Sequence, residues 1–258
     1  MTGMLSGRIA LVTGGGKGIG RATCEKLGRE GARTLVVTRS AESGQVAIEA
    51  IRAEGGIAEL AVIDLGGEGT AEAAVQAVQE RFGALDILVH NAAYIPYGPI
   101  GGLSDAEWAK AMAVGPDSAF RLLRAALPLL RASRHGRAIF VSSLAAGRSM
   151  SRNLVAYGAA KGAIEAFVKG AAMELMADGI TVNAVAPGGT MSDAVKTQMT
   201  PEAIAGLASM LPAKRLAECA ELADVIAFVA SDAARFVTGQ SICVDGGQSL
   251  GIDIVLDA

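Results

Sequence analysis

The sequence predicts an α/β fold in which helices cover both faces of a parallel, doubly wound sheet. Short runs rich in β-branched residues alternate along the chain with longer helix-like stretches, a pattern typical of repeated βα units. The 258 residues are 51% hydrophobic and 19% charged, which fits strands buried on both faces. Because no change in composition divides the chain, we expect a single domain over 1–258.

Seven segments have the length and composition of buried strands: 8–13, 34–38, 58–64, 86–90, 138–142, 180–185 and 241–244. A helix is predicted to follow the first strand, over 18–30. Ser104 and Glu107 have the spacing of a capping box, which predicts the start of a long helix towards Leu130.

Charge and hydropathy exclude several classes of partner. The net charge is −3 and no basic block is present, so neither nucleic acid nor an anionic membrane is expected to bind. No run approaches the roughly 20 apolar residues of a membrane helix, and residues 1–10 lack the pattern of a secretory signal. A small molecule is the expected partner.

The cysteines and histidines predict neither a disulfide nor a metal site. Cys24, Cys219 and Cys243 are scattered and odd in number, which indicates free thiols in a reducing, cytoplasmic environment. His90 and His135 are the only histidines and lie far apart. A zinc centre or a Ser-His-Asp triad is therefore not expected.

A glycine-rich turn follows the first strand and opens the first helix. Gly14, Gly18 and Gly20, with Ile19 between the last two, belong to the segment TGGGKGIG. Glycine lets the backbone approach a phosphate closely, and a helix N-terminus favours an anion. This position in the first βα unit predicts a dinucleotide pyrophosphate site.

The end of the second strand predicts NADP(H) rather than NAD as the dinucleotide. An acidic residue there would hold the ribose 2′-hydroxyl of NAD, but this chain has Arg39 and Ser40. Arg39 can pair with a 2′-phosphate, and Lys17 adds a second positive charge.

Further cofactor contacts are predicted after the third and fourth strands. Asp64, followed by Leu65, either bonds the adenine amino group or caps the next turn. Asn91 and Ala92 close the fourth strand in the segment HNAA, whose small residues let a cofactor lie against the backbone.

Tyr157 and Lys161 carry the predicted proton chemistry. Their spacing of four places both side chains on one face of a helix. A positive charge beside a phenol favours phenolate, which predicts that Lys161 lowers the pKa of Tyr157 towards neutrality.

Taken together, these motifs resemble the short-chain dehydrogenase/reductase family over essentially the whole chain. The resemblance rests on eight ordered segments: TGxxxGxG from Thr13, Asp64, Asn91-Ala92-Ala93, Ser142-Ser143, Tyr157-x-x-x-Lys161, Asn183, Pro187-Gly188 and VDGG from Val244. It implies a Rossmann-type, seven-stranded fold, a homotetramer, and an NADP(H)-dependent enzyme that interconverts a carbonyl and a secondary alcohol.

The resemblance also implies the role of individual residues. Tyr157 would exchange a proton with the substrate oxygen, Ser143 would orient and polarise the carbonyl, and Lys161 would also bond the nicotinamide ribose. Pro187, Gly188 and Thr190 would line the nicotinamide pocket.

Two positions depart from the family pattern. Ser143 lies one residue further from Tyr157 than the family places its serine, which leaves Ser142 as the alternative; neighbouring strand residues face opposite ways, so only one can serve. Gly115, followed by Pro116, stands where the family carries a helix asparagine. We expect a kink there whose freed carbonyl holds a relay water; alternatively, the protein binds NADP(H) without turnover, as a sensor or scaffold.

Substrate contacts are predicted from an irregular stretch over 187–212. Its methionines form either an adaptable apolar lid or the packing of an inserted helix pair. With Tyr94, Tyr97 and Met150, which otherwise pack within loops, the stretch predicts a small, fairly apolar substrate. A 3-oxoacyl carrier-protein substrate is the narrower alternative. The apolar tail 251–258 is expected to pack on a neighbouring subunit.

Overall fold

The sheet has seven parallel strands, as the sequence predicts. In the computed structural model, which describes residues 3–251, the strand order is β3-β2-β1-β4-β5-β6-β7. The order reverses direction between β1 and β4, so the carboxyl ends of these two strands flank a crevice of the kind that binds ligands in doubly wound sheets. The prediction of a Rossmann-type, doubly wound fold is confirmed.

The observed strands differ from the predicted ones by a few residues at their ends. They are β1 Ile9–Thr13, β2 Arg33–Thr38, β3 Ile57–Val62, β4 Ile87–His90, β5 Arg137–Val141, β6 Thr181–Pro187 and β7 Ser241–Val244. β3 ends before Asp64 because β2, its only neighbour, ends at Thr38, which pairs with Val62.

Helices connect the strands and lie on both faces of the sheet. They are α1 Gly18–Arg29, α2 Ala41–Ala53, α3 Thr70–Phe82, α4 Asp105–Met112, α5 Ser118–Ala132, α6 Val155–Leu175, α7 Asp193–Gln198, α8 Pro201–Met210 and α9 Cys219–Ala230. Ser104 and Glu107 form the predicted capping box at the start of α4.

Two apolar cores, one on each face of the sheet, hold the layers together. One joins α3, α5 and α6 to the strands through side chains such as Val78, Leu122 and Ile164. The other joins α1, α2 and α9 to the opposite face through Leu27, Ile51, Ile226 and their neighbours. α6 is thereby fixed with its first turns beside the carboxyl end of β5.

The predicted long helix from Asp105 is interrupted at Gly115 and Pro116. Pro116 has no N–H to donate, and Gly115 departs from helical geometry with φ −88° and ψ −106°. The kinked segment Ala113–Asp117 therefore separates α4 from α5, at the position where the sequence predicts a kink.

The stretch 187–212 is not irregular, contrary to the sequence-based expectation. It holds the last residue of β6 and the short helices α7 and α8, each capped by a hydroxyl side chain, Ser192 and Thr200 respectively. Polar residues and small side chains obscured the helical pattern. Neither helix contains a fully buried residue.

The apolar tail 251–258, which the sequence predicts to pack on a neighbouring subunit, lies outside the described residues apart from Gly251. Within 3–251, no helix combines the length and the apolar character that crossing a bilayer would require.

Replacing Leu122 by alanine should destabilise the protein strongly. Its side chain is fully buried in the core under α5, so the change should lower the free energy of unfolding by about 2–5 kcal/mol. Leu250→Ala is the matched control because Leu250 is 90% exposed. Urea denaturation of both variants tests this, and equal effects would contradict the assigned core.

Candidate active site

The glycine-rich turn forms a cradle at the carboxyl end of β1. Gly14 and Gly18 have positive φ angles of +65° and +54°, a conformation that glycine adopts at little cost. A side chain at Gly14 would come within 2.8 Å of Asn91 Nδ2, and one at Gly20 would collide with the Gly14 carbonyl. The turn therefore presents bare backbone at the start of α1, with half-buried Ile19 in its first turn.

Asn91 and Thr13 tie this turn to the end of β4. Asn91 Nδ2 donates to the carbonyls of Thr13 and Gly14, both at 3.2 Å. The backbone N–H groups of Asn91 and Ala92 donate to Thr13 Oγ1 at 3.0 and 3.1 Å. The side chain of Asn91 thus holds the two strand ends that flank the crevice.

An open cleft of about 550 Å³ extends from the glycine turn across the ends of β2 and β3. Lys17 and Arg39 are exposed at its border, and neither forms an ion pair within 3–251. Ser40 caps α2, its Oγ accepting from the Ser43 N–H at 3.3 Å. Nine residues of the predicted cofactor site line this cleft: Gly14, Lys17, Gly18, Arg39, Ser40, Asp64, Leu65, Asn91 and Ala92.

Asp64 both lines the cleft and caps the turn that follows β3. Its Oδ1 accepts from the Gly66 N–H at 3.3 Å, and Leu65 beside it is buried. The two alternatives for Asp64 are therefore compatible, because one carboxylate oxygen remains for a further donor.

Ser142 and Ser143 point in different directions. Ser142 is buried and its Oγ donates to Glu165 at 3.0 Å. Ser143 is half-buried, accepts from the Ala145 N–H at 3.2 Å, and hydrogen-bonds Tyr157. The structure therefore brings Ser143, and not Ser142, to the phenol.

Tyr157 and Lys161 lie on successive turns of α6, with Lys161 Nζ 5.6 Å from the centre of the Tyr157 ring. Burial raises the pKa of Tyr157, and the hydrogen bond with Ser143 lowers it in part. The net shift is upward, contrary to the expectation that Lys161 lowers the pKa of the phenol towards neutrality. Lys161 Nζ donates to the Val141 carbonyl at 2.5 Å.

Lys161 is itself a buried cation. Its side chain is 2% exposed, and it forms no ion pair with any described residue. Burial lowers the pKa of its ammonium from 10.5 to about 8, because a charge is poorly solvated there.

The segment after β6 approaches the site from the opposite side. Pro187 ends β6, and Gly188 is so close to β7 that a Cβ would lie 2.7 Å from Asp245 Cβ. Thr190 is buried and donates to the Gly188 carbonyl at 3.0 Å. These three residues do not line the 550 Å³ cleft.

Asp193, at the start of α7, reaches the glycine turn itself. Its Oδ2 accepts from the Gly18 N–H at 2.8 Å, although 175 residues separate the two. Sequence analysis missed this contact, because nothing local marks an aspartate as the partner of a distant backbone N–H. This hydrogen bond links the stretch 187–212 to the mouth of the cleft.

At the kink, the Ser118 side chain links the backbone of the kinked segment to the buried ring of His90. Ser118 Oγ lies 2.7 Å from the Val114 carbonyl and 3.2 Å from that of Gly115, and 2.7 Å from His90 Nε2. Burial, with the charge of Lys161, lowers the pKa of His90 to about 3. The ring is therefore neutral at pH 7, and since the Ser118 hydroxyl donates to a carbonyl, Nε2–H donates to Ser118. This network was also not predicted.

Among the described residues, no group of three or more His, Cys, Asp or Glu side chains is placed to hold a metal ion. The described residues combine a glycine cradle at the β1–α1 turn with a Ser-Tyr-Lys group formed after β5 and on α6.

Comparison with known proteins gives the family. The family model described as enoyl-(acyl carrier protein) reductase matches residues 14–249. The 3-oxoacyl-[acyl-carrier-protein] reductase FabG of Escherichia coli K12 is 35% identical over 241 residues, 93% of this chain and 97% of that protein. The 2,5-dichloro-2,5-cyclohexadiene-1,4-diol dehydrogenase LinX of Sphingobium indicum is 32% identical over 98% of this chain and 100% of its own length.

A solved structure is similar throughout. The angucycline C-6 ketoreductase LanV, crystallised with bound NADP, has a TM-score of 0.90 and 36% identity over 97% of this chain and 99% of that one. The chain belongs to the short-chain dehydrogenase/reductase family of oxidoreductases, as its motifs predict.

Replacing Lys161 by methionine should change how stability depends on pH. Between pH 8 and 10.5 the unfolded lysine keeps its proton while the folded one has lost it, so the wild type should gain stability relative to the variant as pH rises. The gain should reach about 3 kcal/mol at most. Urea denaturation from pH 7 to 10.5 measures it, with Lys169→Met, an exposed site on the same helix, as control. A constant difference between wild type and Lys161→Met would contradict the burial argument.

Proposed function

We propose that the protein is an NADP(H)-dependent oxidoreductase that interconverts a carbonyl group and a secondary alcohol on a small, fairly apolar substrate. The observation that carries the proposal is the placement of Ser143, Tyr157 and Lys161 at the carboxyl edge of the sheet. They lie beside strand ends that also hold a phosphate cradle.

The residues present fit a dinucleotide. Gly18 donates its N–H to the carboxylate of Asp193, which supports an oxyanion site at this turn. Close packing around Gly14 leaves the backbone bare, and Lys17 and Arg39 carry charges suited to a 2′-phosphate. The resemblance assigns Pro187, Gly188 and Thr190 to the nicotinamide end. NADPH supplies the hydride.

Tyr157 is the proton donor of the proposed reduction. Because burial raises the pKa of its phenol, the hydroxyl is protonated at neutral pH and can donate to a developing alkoxide. Ser143, already hydrogen-bonded to Tyr157, donates to the same substrate oxygen and polarises it. The reverse reaction needs the phenolate, which is favoured as pH rises.

Lys161 supplies positive charge and a proton reserve behind the phenol. One of its N–H bonds is taken by the Val141 carbonyl, which leaves two for cofactor hydroxyls or a relay. With a pKa of about 8, the ammonium can lose and regain a proton near neutral pH, which a solvated lysine does far less readily.

The exposed methionine beside the first turn of α6 suits a small, fairly apolar substrate. Met150 is 58% exposed and lies against the first turn of α6, where a Cβ on Gly158 would be 2.8 Å from its Cε. Tyr97 is largely exposed, whereas the Tyr94 ring packs under Lys110 Nζ at 4.6 Å. With no fully buried side chain in α7 or α8, the segment 187–212 is loosely enough packed to serve as a lid.

Turnover by the purified protein tests the proposal. NADPH oxidation should be measured with ketones, diketones and 3-oxo thioesters, with NADH in parallel. Tyr157→Phe should lower kcat by at least about 100-fold, since it removes the transferable proton, while NADPH fluorescence shows unchanged binding. Preference for a thioester would favour the 3-oxoacyl substrate of the FabG relative. Binding of NADPH without turnover of any carbonyl would overturn the proposal.

The alternative, NADP(H) binding without catalysis, rests on Gly115. The family's helix asparagine is absent there. The Val114 carbonyl accepts from the Ser118 hydroxyl at 2.7 Å, and the Gly115 carbonyl accepts from the Ser118 backbone N–H. Each carbonyl has a second lone pair, so a relay water can still be held by the backbone.

Gly115→Asn should therefore change the rate of carbonyl reduction only modestly, by less than about fivefold, if backbone and water maintain the relay. A Cβ at this position would lie 3.3 Å from Ala160 Cβ, so a small shift of α6 is expected. Gly115→Ala is the control for that shift. A gain of 100-fold with asparagine but not with alanine would instead show a relay-deficient native site.

Arg39→Ala should weaken NADPH binding by about 10- to 100-fold, because a charge-assisted pair with the 2′-phosphate is lost. NADH binding should change little. Titration of nicotinamide fluorescence measures both, with Arg131→Ala, on α5, as control. Equal losses for the two cofactors would contradict the assignment of Arg39.

Assembly and location complete the proposal. A homotetramer is supported by exposed apolar side chains on the helices and at the edge of the sheet, including Phe120, Met173 and Phe236, which a second copy of the chain would cover. The three free cysteines support a reducing compartment, and the cytoplasm remains the prediction.

A further inference from the structure

A fourth ionisable side chain lies next to the proposed catalytic group and has no part in the mechanism described so far. Glu165 follows Lys161 by one turn of α6, so Tyr157, Lys161 and Glu165 share one face of the helix. Its side chain is only 12% exposed. A carboxylate so nearly buried is costly unless it is paired and hydrogen-bonded.

One oxygen of Glu165 collects donors from three other parts of the fold. Oε1 accepts from Ser142 Oγ after β5 at 3.0 Å and from Ser241 Oγ on β7 at 2.7 Å. It also accepts from Arg148 Nη1, in the loop 144–154, at 2.5 Å. The pairing with Glu165 raises the pKa of the Arg148 guanidinium, which keeps that guanidinium charged.

These contacts reach the proposed catalytic serine through the backbone. Ser142 and Ser143 are adjacent and face opposite ways, so a side chain that fixes Ser142 also fixes the peptide from which Ser143 projects. The serine leads directly into the loop 144–154, which contains Met150. Glu165 thus tethers the start of that loop through Ser142 and its middle through Arg148.

We propose that Glu165 is a positioning residue that holds Ser143 and the loop 144–154 in place against Tyr157. The inference rests on the proposed function, because it acts through the role given there to Ser143. Glu165 itself touches neither substrate nor cofactor. Its effect is to keep the Ser143 hydroxyl within hydrogen-bond distance of the phenol, where a misplacement of about 1 Å can cost up to 100-fold in rate.

A double-mutant cycle with Ser143→Ala tests this. Glu165→Gln keeps the size of the side chain but loses the charge that pairs with Arg148, and it should lower kcat for ketone reduction by about tenfold. In the Ser143→Ala background the same change should cost less than about twofold, because the group it positions is gone. NADPH affinity should stay constant throughout. Glu174→Gln, exposed on the same helix, is the matched control.

The pH profile separates positioning from general loss of stability. The hydrogen bond from Ser143 lowers the pKa of Tyr157, so loosening it should move the rise of alcohol oxidation to higher pH in Glu165→Gln but not in Glu174→Gln. Should Glu165→Gln fail to fold, Ser142→Ala removes one donor only, and the same cycle and profile apply to it.

Two results would overturn the inference about Glu165, and each points to a different cause. Equal losses from Glu165→Gln with and without Ser143, at an unshifted pH profile, would show that Glu165 acts independently of the serine. Full activity of Ser143→Ala alone would refute the role of Ser143 in the proposed function, and the role of Glu165 with it.

Discussion

The site depends on one buried interaction, the contact between the Lys161 ammonium and the carbonyl of Val141 at the end of β5. No carboxylate pairs with this cation among the described residues, so its burial costs free energy that packing elsewhere must offset. The core under α6, with Ile164 and Val168 fully or almost fully buried, supplies that packing. The strand end and the helix are thereby held in one arrangement, and Tyr157, Ser143 and Glu165 are placed relative to it.

On the nucleotide side of the crevice, hydrogen bonds and not a buried charge hold the strand ends together. Asn91 and Thr13 tie the ends of β4 and β1 together through four hydrogen bonds. The glycine turn at the start of α1 is thereby held against the end of β4. Asp193 accepts from the Gly18 N–H of this turn, so the segment that contains α7 and α8 is linked to the place where a pyrophosphate would bind.

The sequence predicted what depends on local pattern. β-Branched runs separated by helical stretches predicted the seven strands. The capping box at Ser104 predicted the start of α4, and Gly115-Pro116 predicted the kink. The family resemblance assigned Ser143, and the alternation of side chains along a strand meant that only one of Ser142 and Ser143 could serve. The structure places Ser143 at Tyr157.

Contacts between distant residues could not be predicted in the same way. Asp193 with Gly18, Glu165 with Ser241, and His90 with Ser118 each join residues that only the folded chain brings together. The predicted direction of the Tyr157 pKa shift was wrong for the same reason. The spacing of Tyr157 and Lys161 predicts a shared helix face, but the burial of the phenol and the position of the ammonium at the Val141 carbonyl depend on tertiary packing. Helices α7 and α8 are the inserted helix pair that the sequence left open beside an adaptable lid. The sequence did not decide between the two because such short helices depend on tertiary contacts.

The central claim is that hydride passes from NADPH to a carbonyl carbon while Tyr157 protonates the oxygen. Its most direct test uses NADPH that carries deuterium at both C4 positions, with the best ketone of the panel and mass analysis of the product. The account predicts an alcohol with one deuterium on the carbinol carbon from the wild type, and almost none from Tyr157→Phe under the same conditions. An alcohol without deuterium, or equal labelled product from the variant, would contradict it.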